Sequence, residues 1–234
     1  MNFPQHIAFI CDGNRRWALK KGLPEFAGHK QAVEVTIDQL VDHSIKLHIP
    51  YLSFWVLSTE NWLRGKDWIN RYFKLMHYFF KTKLKKLIAK GVKVKIIGNL
   101  TQLPKNIQKI LKELEKKSQN NKKITVIIAI NYGGRDEIVR AINKLLAKKG
   151  PALDKGRAFT LEKEFANYLD TTGIPDPDLL IRTGEANVRL SGFMLWQIAY
   201  TELYFTNTLF PDFTPQKLDE AIAWLQHQKR NFGK

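Results

Sequence analysis

The chain has 234 residues, 44% of them hydrophobic, and carries 38 Lys and Arg against 22 Asp and Glu, for a formal net charge of +16. That is enough apolar material to bury a full core, and one domain spanning 1–234 is the expectation. A single cysteine, Cys11, excludes an intramolecular disulfide framework, no apolar run is long enough to cross a bilayer, and the start MNFPQHIAFI lacks a leader pattern, so a cytosolic protein is expected.

The first apolar run, residues 7–11, empties at once into Asp12-Gly13-Asn14-Arg15-Arg16-Trp17. This is the pattern of a buried strand, a tight turn and a helix. Gly13 turns the backbone without steric cost, and Asn14 is a good N-cap whose following amides are free to face an anion. Asp12 then stands at a strand's carboxyl end, where open α/β sheets hold ligands. An acid, an amide and two arginines at one such point suit a phosphate held partly through a metal. A capped helix start with solvated arginines explains this stretch equally well, and Cys11 reads as a buried, inert thiol.

Residues 27–47 place Val33, Ile37, Leu40, Val41 and Ser44 on one helical face. Pro50 closes the loop, and 51–57 reads as a buried strand leading into Ser58-Thr59-Glu60-Asn61-Trp62. A long helix over 67–90 shows a wide aromatic surface, including Trp68, Tyr72, Phe73, Met76, Phe79 and Phe80. Such a helix is either buried on several sides or forms one wall of an apolar cavity. Gly91 ends it. A strand over 92–97, a helix over 104–117 and a very hydrophobic strand over 124–130 follow, the last ending in Asn131-Tyr132-Gly133-Gly134-Arg135. A helix then runs to Gly150, and a short one over 160–168 has Thr160 as its N-cap. Residues 179–181 form a strand leading into Arg182-Thr183-Gly184-Glu185, 203–205 another strand, and 215–229 the last helix.

Strands separated by helices imply an α/β fold, a single domain with a central, mostly parallel sheet flanked by helices. Polar clusters follow four strands, at Asp12, Ser58, Asn131 and Arg182, and in a parallel sheet all four share one edge. Charge is uneven. Residues 81–123 hold fourteen lysines and two acids, a net +12 that leaves only +4 for the rest. Such a surface attracts polyanions or acidic lipid headgroups, with a solvated exterior as the simpler reading. Arginine-rich or aromatic-interleaved runs, the mark of a nucleic-acid surface, are absent.

The candidate site groups are Asp12, Asn14, His29, Ser58 and Asn61, with Arg16, Arg64, Arg182 and Arg189. Two arginines shortly ahead of Ser191 suit a diphosphate, because the guanidinium fork matches phosphate oxygens. An Asp with no second acid in its turn suits Mg²⁺, which takes few protein ligands plus phosphates and waters. His29 either donates to a phosphate or holds its turn. There is no Walker A loop, no Gly-x-Gly-x-x-Gly and no zinc spacing. An apolar cavity beside a diphosphate site would take an amphiphile with a hydrocarbon tail.

Six ordered blocks carry a family resemblance: HIAFICDGNRRWA (6–18), Gly28-His29, STENWLR (58–64), NYGGRDEI (131–138), PDLLIRTG (177–184) and RLSGFMLWQIAYTELYF (189–205). Over essentially its whole length the chain resembles the cis-prenyltransferases of the undecaprenyl diphosphate synthase type. The resemblance implies a homodimer, a central parallel sheet and an apolar tunnel between sheet and helices. It implies condensation of isopentenyl diphosphate with an allylic diphosphate such as farnesyl or geranylgeranyl diphosphate, making Z double bonds in a lipid-carrier precursor. Asp12 would bind Mg²⁺ with the allylic diphosphate, held further by Gly13, Asn14, Arg15 and Arg16. Arg182, Arg189 and Ser191 would hold isopentenyl diphosphate. Asn61 and His29 would assist ionisation or proton transfer. Ser58, Glu60 and Arg64 would join the substrate-binding set, Trp17 and Trp62 would line the mouth, and Glu202 would add a metal contact, within its own chain or across the dimer.

The resemblance also allows a transient contact with a membrane surface for product release and gives no reason to expect nucleic acid. Departures from the family pattern are Pro24-Glu25 where Pro-Arg is usual, so that an acid replaces a diphosphate-binding arginine, Leu57 for an aromatic residue, Trp68 for a glutamate, Gly192 for an asparagine, and one extra residue between Arg182 and Arg189. A non-catalytic relative that binds a lipid or a partner enzyme, and a polyanion-binding protein, are the competing readings.

Overall fold

The apolar runs become strands of one sheet, each run long enough for four to nine residues and bounded by glycine, proline or polar clusters. A computed structural model describes residues 3–149, 158–184 and 188–229. Its elements are β1 (His6–Ile10), α1 (Asn14–Lys20), α2 (Ala27–Gln31), α3 (Ile37–Lys46), β2 (Tyr51–Ser58), α4 (Lys66–Ala89), β3 (Val92–Ile97), α5 (Lys105–Ser118), β4 (Ile124–Tyr132), α6 (Gly134–Lys149), α7 (Ala158–Ala166), β5 (Leu179–Arg182), β6 (Glu202–Phe205) and α8 (Pro215–Gln226). The strand order is β3-β4-β2-β1-β5-β6, and all five pairings are parallel, not merely most of them.

Strand β1 is central and buried on both faces, which explains its unbroken apolar run. Alternate side chains feed two cores. Ile7 and Phe9 enter the larger one, with apolar residues of α3, α4, α5 and α8; Ala8 and Ile10 enter the other, with Phe193, Met194 and Ile198. Phe9 stacks on Phe54 of β2 at 5.1 Å. From β1 the chain crosses to β2 on one side, and β5 returns on the other. The carboxyl end of β1 is therefore a topological switch point, where diverging crossovers leave a crevice.

The helix expected over 27–47 is continuous, but a π-helical turn at Ala32–Thr36 joins α2 to α3. Such wide turns often sit at functional sites. Two local readings are corrected. Gly13, at φ 101°, is the residue that precedes α1, and Asn14 is already helical; its side chain donates to the Cys11 carbonyl at 2.8 Å instead of capping the helix. The short helix begins at Ala158, so Thr160 lies within its first turn. The expectations for Gly150 and Glu185 fall outside the described residues.

His6 links the start of β1 to its surroundings. Its Nδ1 meets the Pro175 carbonyl and its Nε2 the Ser53 hydroxyl, each at 2.7 Å. A carbonyl only accepts, so Nδ1 carries the proton and Nε2 accepts from Ser53. Burial pushes the His6 pKa down to about 4, the Pro175 hydrogen bond opposing that shift only in part. The unfolded ring takes up its proton near pH 6.5, so the neutral ring's stabilisation is complete above that pH and is lost as pH falls towards 4. Urea unfolding at pH 7 and pH 5 should show a stability loss about 1–2 kcal/mol smaller in His6→Gln than in the wild type. An equal loss in both proteins would show that His6 is not neutral in the fold.

Candidate active site

A cavity of about 870 Å³ opens at the switch point. Its polar end is built on the ends of three neighbouring strands: Asp12 after β1, Ser58 at the end of β2 and Arg182 at the end of β5. Asp12 is the pivot. Its Oδ1 accepts the Gly13 N–H at 2.6 Å and lies 3.4 Å from Arg16 Nη2; its Oδ2 accepts from Arg182 Nη2 at 3.0 Å. Thr183 fixes the backbone around it, donating its hydroxyl to the Asp12 carbonyl at 2.9 Å and accepting the Asp12 N–H at 3.1 Å.

Close packing holds this turn in place. A Cβ on Gly13 would meet Leu209 Cδ2 at 2.7 Å, and one on Gly184 would meet Arg16 Nη2 at 2.7 Å. Both residues also have positive φ, 101° and 86°, which a side chain would strain.

Arg182 is only 4% exposed and does more holding than reaching. Besides Asp12, it donates to the Ser191 hydroxyl at 2.8 Å and to the Arg189 carbonyl. Ser191 lines the cavity in a left-handed conformation, φ 50°. The Arg189 side chain is exposed and is not among the lining residues, so the two arginines do not converge as a pair within this chain.

Among the described residues, four buried polar atoms around the cavity lack a hydrogen-bond partner: Asn14 Oδ1, His29 Nδ1, Trp68 Nε1 and Arg182 Nε. Unsatisfied groups of this kind are costly, and a ligand is one way to satisfy them. His29 lines the cavity with its ring edge-on to Trp68 and Tyr72. Burial, and then the Arg64 charge, lower its pKa to about 4, so it is neutral at pH 7. Asn61 Oδ1 accepts the Ser58 N–H at 3.0 Å, and both residues face the cavity. Glu60 and Arg64 join the rim, Arg64 lying 4.7 Å from the Trp68 ring centroid. Arg15 and Glu25 also line it and pair with each other, Nε to Oε1, at 3.3 Å. Cys11 lines the cavity too, although burial raises its thiol pKa and keeps it protonated.

The other end is apolar. Ala32, Val33 and Ile37 come from the π turn and the start of α3, Trp68, Tyr72 and Met76 form one row along α4, and Phe210 closes it. The aromatic helix is thus both things the sequence allowed. Phe79 and Phe80 are fully buried core, while the row at spacing four faces the cavity.

Several expected site residues stand elsewhere. Asn131, at the end of β4, is fully buried and braces loops: it donates to the Asn99 carbonyl at 2.8 Å and accepts the Trp62 indole N–H at 2.7 Å. Trp62 is therefore committed to that brace, and Trp17 packs against Ala18 and Leu209 with its N–H on Asp212 at 2.7 Å. Neither lines the cavity. Glu202 begins β6 and pairs in register with Leu179, whereas Arg182 pairs with Phe205. It thus sits at the opposite end of its strand from the edge that carries Asp12. Thr183 and Gly184 entered the sequence reading only as members of the cluster after Arg182, with no role of their own, and nothing in the sequence marked Leu209 or Phe210.

Among the described residues no three His, Cys, Asp or Glu side chains gather to hold a metal. The donors present are the Asp12 carboxylate and the orphaned Asn14 Oδ1. Oxygen donors, few in number, fit a hard cation such as Mg²⁺ that completes its shell with phosphate and water.

The undecaprenyl diphosphate synthase family model matches residues 10–233. The isoprenyl transferase of Aquifex aeolicus (strain VF5) is 42% identical over 234 residues, covering 100% of this chain and 97% of that protein. The farnesyl-diphosphate-specific ditrans,polycis-undecaprenyl-diphosphate synthase of Micrococcus luteus is 39% identical over 230 residues, 98% of this chain and 91% of that one. Lavandulyl diphosphate synthase from Lavandula x intermedia, solved with dimethylallyl diphosphate, superposes with a TM-score of 0.91 at 35% identity, covering 99% of each chain.

Proposed function

Since the chain belongs to the undecaprenyl diphosphate synthase family and is a cis-prenyltransferase, we propose that it condenses isopentenyl diphosphate with an allylic diphosphate, farnesyl or geranylgeranyl in size, in a Mg²⁺-dependent reaction. The observation that carries this reading is the cavity's division into a cationic end, where Asp12 is gripped by Arg16 and Arg182, and an apolar end along α4. Only an amphiphile with an anionic head and a hydrocarbon tail uses both.

The chain's own residues have distinct tasks. Arg16 and the backbone amides after Gly13 face the head and hold the negative charge that grows as the diphosphate departs. Arg182 keeps Asp12 and Ser191 in position without reorganising during the reaction. Mg²⁺, bound through Asp12 and Asn14, would add charge neutralisation on the leaving diphosphate. Neutral His29 offers its unpartnered Nδ1 for a hydrogen bond or a proton, and Asn61 offers its amide nitrogen. The apolar wall excludes water from the electron-poor carbon of the allylic partner.

Two supports extend the reading to a homodimer. On α6 the apolar Val139, Ile142 and Leu146 are exposed at 57%, 42% and 42% along one helical face, and β6 is the edge of the sheet. In such a dimer Arg189 and Glu202, which do not line this chain's own cavity, are the candidates to serve the partner's site. No helix among the described residues is long and apolar enough to cross a membrane.

The direct test is incorporation of labelled isopentenyl diphosphate into butanol-extractable product with an allylic primer, with Mg²⁺ and with EDTA. Product in Mg²⁺ alone is expected; no turnover with any primer would defeat the reading. Glu25 supplies a second expectation. Its carboxylate competes with a diphosphate for Arg15, so Glu25→Arg should lower KM for the allylic diphosphate by about fivefold, the scale of one partly exposed ion pair. A higher KM would mean that Glu25 serves by orienting Arg15.

A further inference from the structure

Residues 81–123 contain fourteen lysines, two acids and neither an arginine nor an aromatic residue. The structure shows how this charge is arranged. The buried side of α5 is Ile107, Leu111, Leu114 and Ser118, and Lys105, Lys109, Lys112 and Lys116 are all exposed on its other side. Spaced four, three and four residues apart, they fall within about 60° of one helix face and run along it for about 17 Å.

Both acids that could neutralise this row are taken. Glu113 lies 3.9 Å from Lys117, and Glu115 accepts the Ile96 N–H at 2.9 Å. Lys90 is pinned between Asp38 and Asp42. The four lysines of the row, and exposed Lys85 and Lys86 at the end of α4, form no ion pair among the described residues. Like charges three and four apart on a helix repel, so the row weakens α5 and adds no ion pair among the described residues that would offset this.

We propose that this face of α5, with the end of α4, docks the protein on an anionic lipid bilayer. The residue types favour a headgroup layer over nucleic acid. Lysines are compact point charges that respond to charge density, whereas nucleic-acid grooves add guanidinium forks and aromatic stacking platforms, both missing here. Position agrees, through an argument that rests on the prenyl-transfer reading. Because α4 links the end of β2 to the start of β3, it runs from the cavity at Trp68 to the basic pole at Lys85 and Lys86. A hydrocarbon tail lying along Trp68, Tyr72 and Met76 heads towards that pole.

The test is flotation of the full chain with phosphatidylcholine vesicles, with and without phosphatidylglycerol. Wild type should float only with the anionic vesicles and be released by salt. The variant with Lys105→Gln, Lys109→Gln, Lys112→Gln and Lys116→Gln should partition about 600-fold less, at roughly fivefold per lysine near the surface, with unchanged circular dichroism. The corresponding arginine variant should still bind. Wild type ignoring anionic vesicles, equal binding by the glutamine variant, or binding to homopolymeric RNA under conditions where vesicles are ignored would each overturn the proposal. Turnover of a short, soluble allylic diphosphate, measured without vesicles, should be the same in wild type and the glutamine variant. Vesicle binding without any turnover would count against prenyl transfer but uphold docking, and turnover without binding would do the reverse.

Discussion

Asp12→Ala should lower turnover on the order of 10³-fold, the scale seen when a preorganised charge-stabilising group is removed, while leaving the fold in place. The carboxylate joins three donors at the polar end: Gly13 N–H, Arg16 and Arg182. Its loss leaves Arg182 buried with two of its three partners, Ser191 and the Arg189 carbonyl. That residual support should limit the damage to stability, which urea unfolding would measure. Asp12→Asn separates charge from shape. The amide oxygen can still accept from Gly13 or Arg182, so stability should be nearer wild type while turnover falls as far as in the alanine variant. Activity preserved in Asp12→Asn would mean that hydrogen bonding at this position, not the negative charge and its metal, is what the reaction needs.

Gly28→Ala is expected to destabilise the protein by about 2–3 kcal/mol, as overpacking of a tight contact does, and to raise KM for the allylic diphosphate. A Cβ at this position would lie 1.9 Å from the Asn14 carbonyl oxygen and 2.7 Å from its carbon, both backbone atoms that no rotamer change can move. Helix α2 would have to back away from α1. His29 is the next residue on α2, and Asn14 opens α1, so the same displacement would separate His29 Nδ1 from Asn14 Oδ1, two of the buried atoms left for a ligand. Thermal unfolding together with steady-state kinetics checks both halves. A stable variant with unaltered KM would show that the helices can shift without cost to the site.

Most of the fold was legible because its signals are local. Apolar runs such as 7–11 and 124–130 mark doubly buried parallel strands, and the spacing of Ile107, Leu111 and Leu114 marks the buried side of α5. Sequence could also place four polar clusters along one edge of a parallel sheet. It could not place them sideways. The lateral order puts β2 and β5 on either side of β1, so Asp12, Ser58 and Arg182 meet, while β4 lies beyond β2 and Asn131 became a brace. The indoles of Trp17 and Trp62 were similarly ambiguous, since an aromatic beside a polar cluster can face a ligand or a buried acceptor, and here Asp212 and Asn131 supplied the acceptors from 195 and 69 residues away. Glu202 followed from a motif, but the register of β6 against β5 sets it at the far end of its strand. The Glu25–Arg15 pair explains what the acid does in the folded chain, which its position in the motif alone did not.

The central claim is that the split cavity performs a prenyl condensation of the cis type. The measurement closest to it is the geometry of the double bond formed in a single condensation of isopentenyl diphosphate with farnesyl diphosphate, read by NMR of the isolated product. A Z double bond, formed by wild type and not by Asp12→Ala, is the predicted result; an E double bond, or a Z product made equally well by Asp12→Ala, would contradict it.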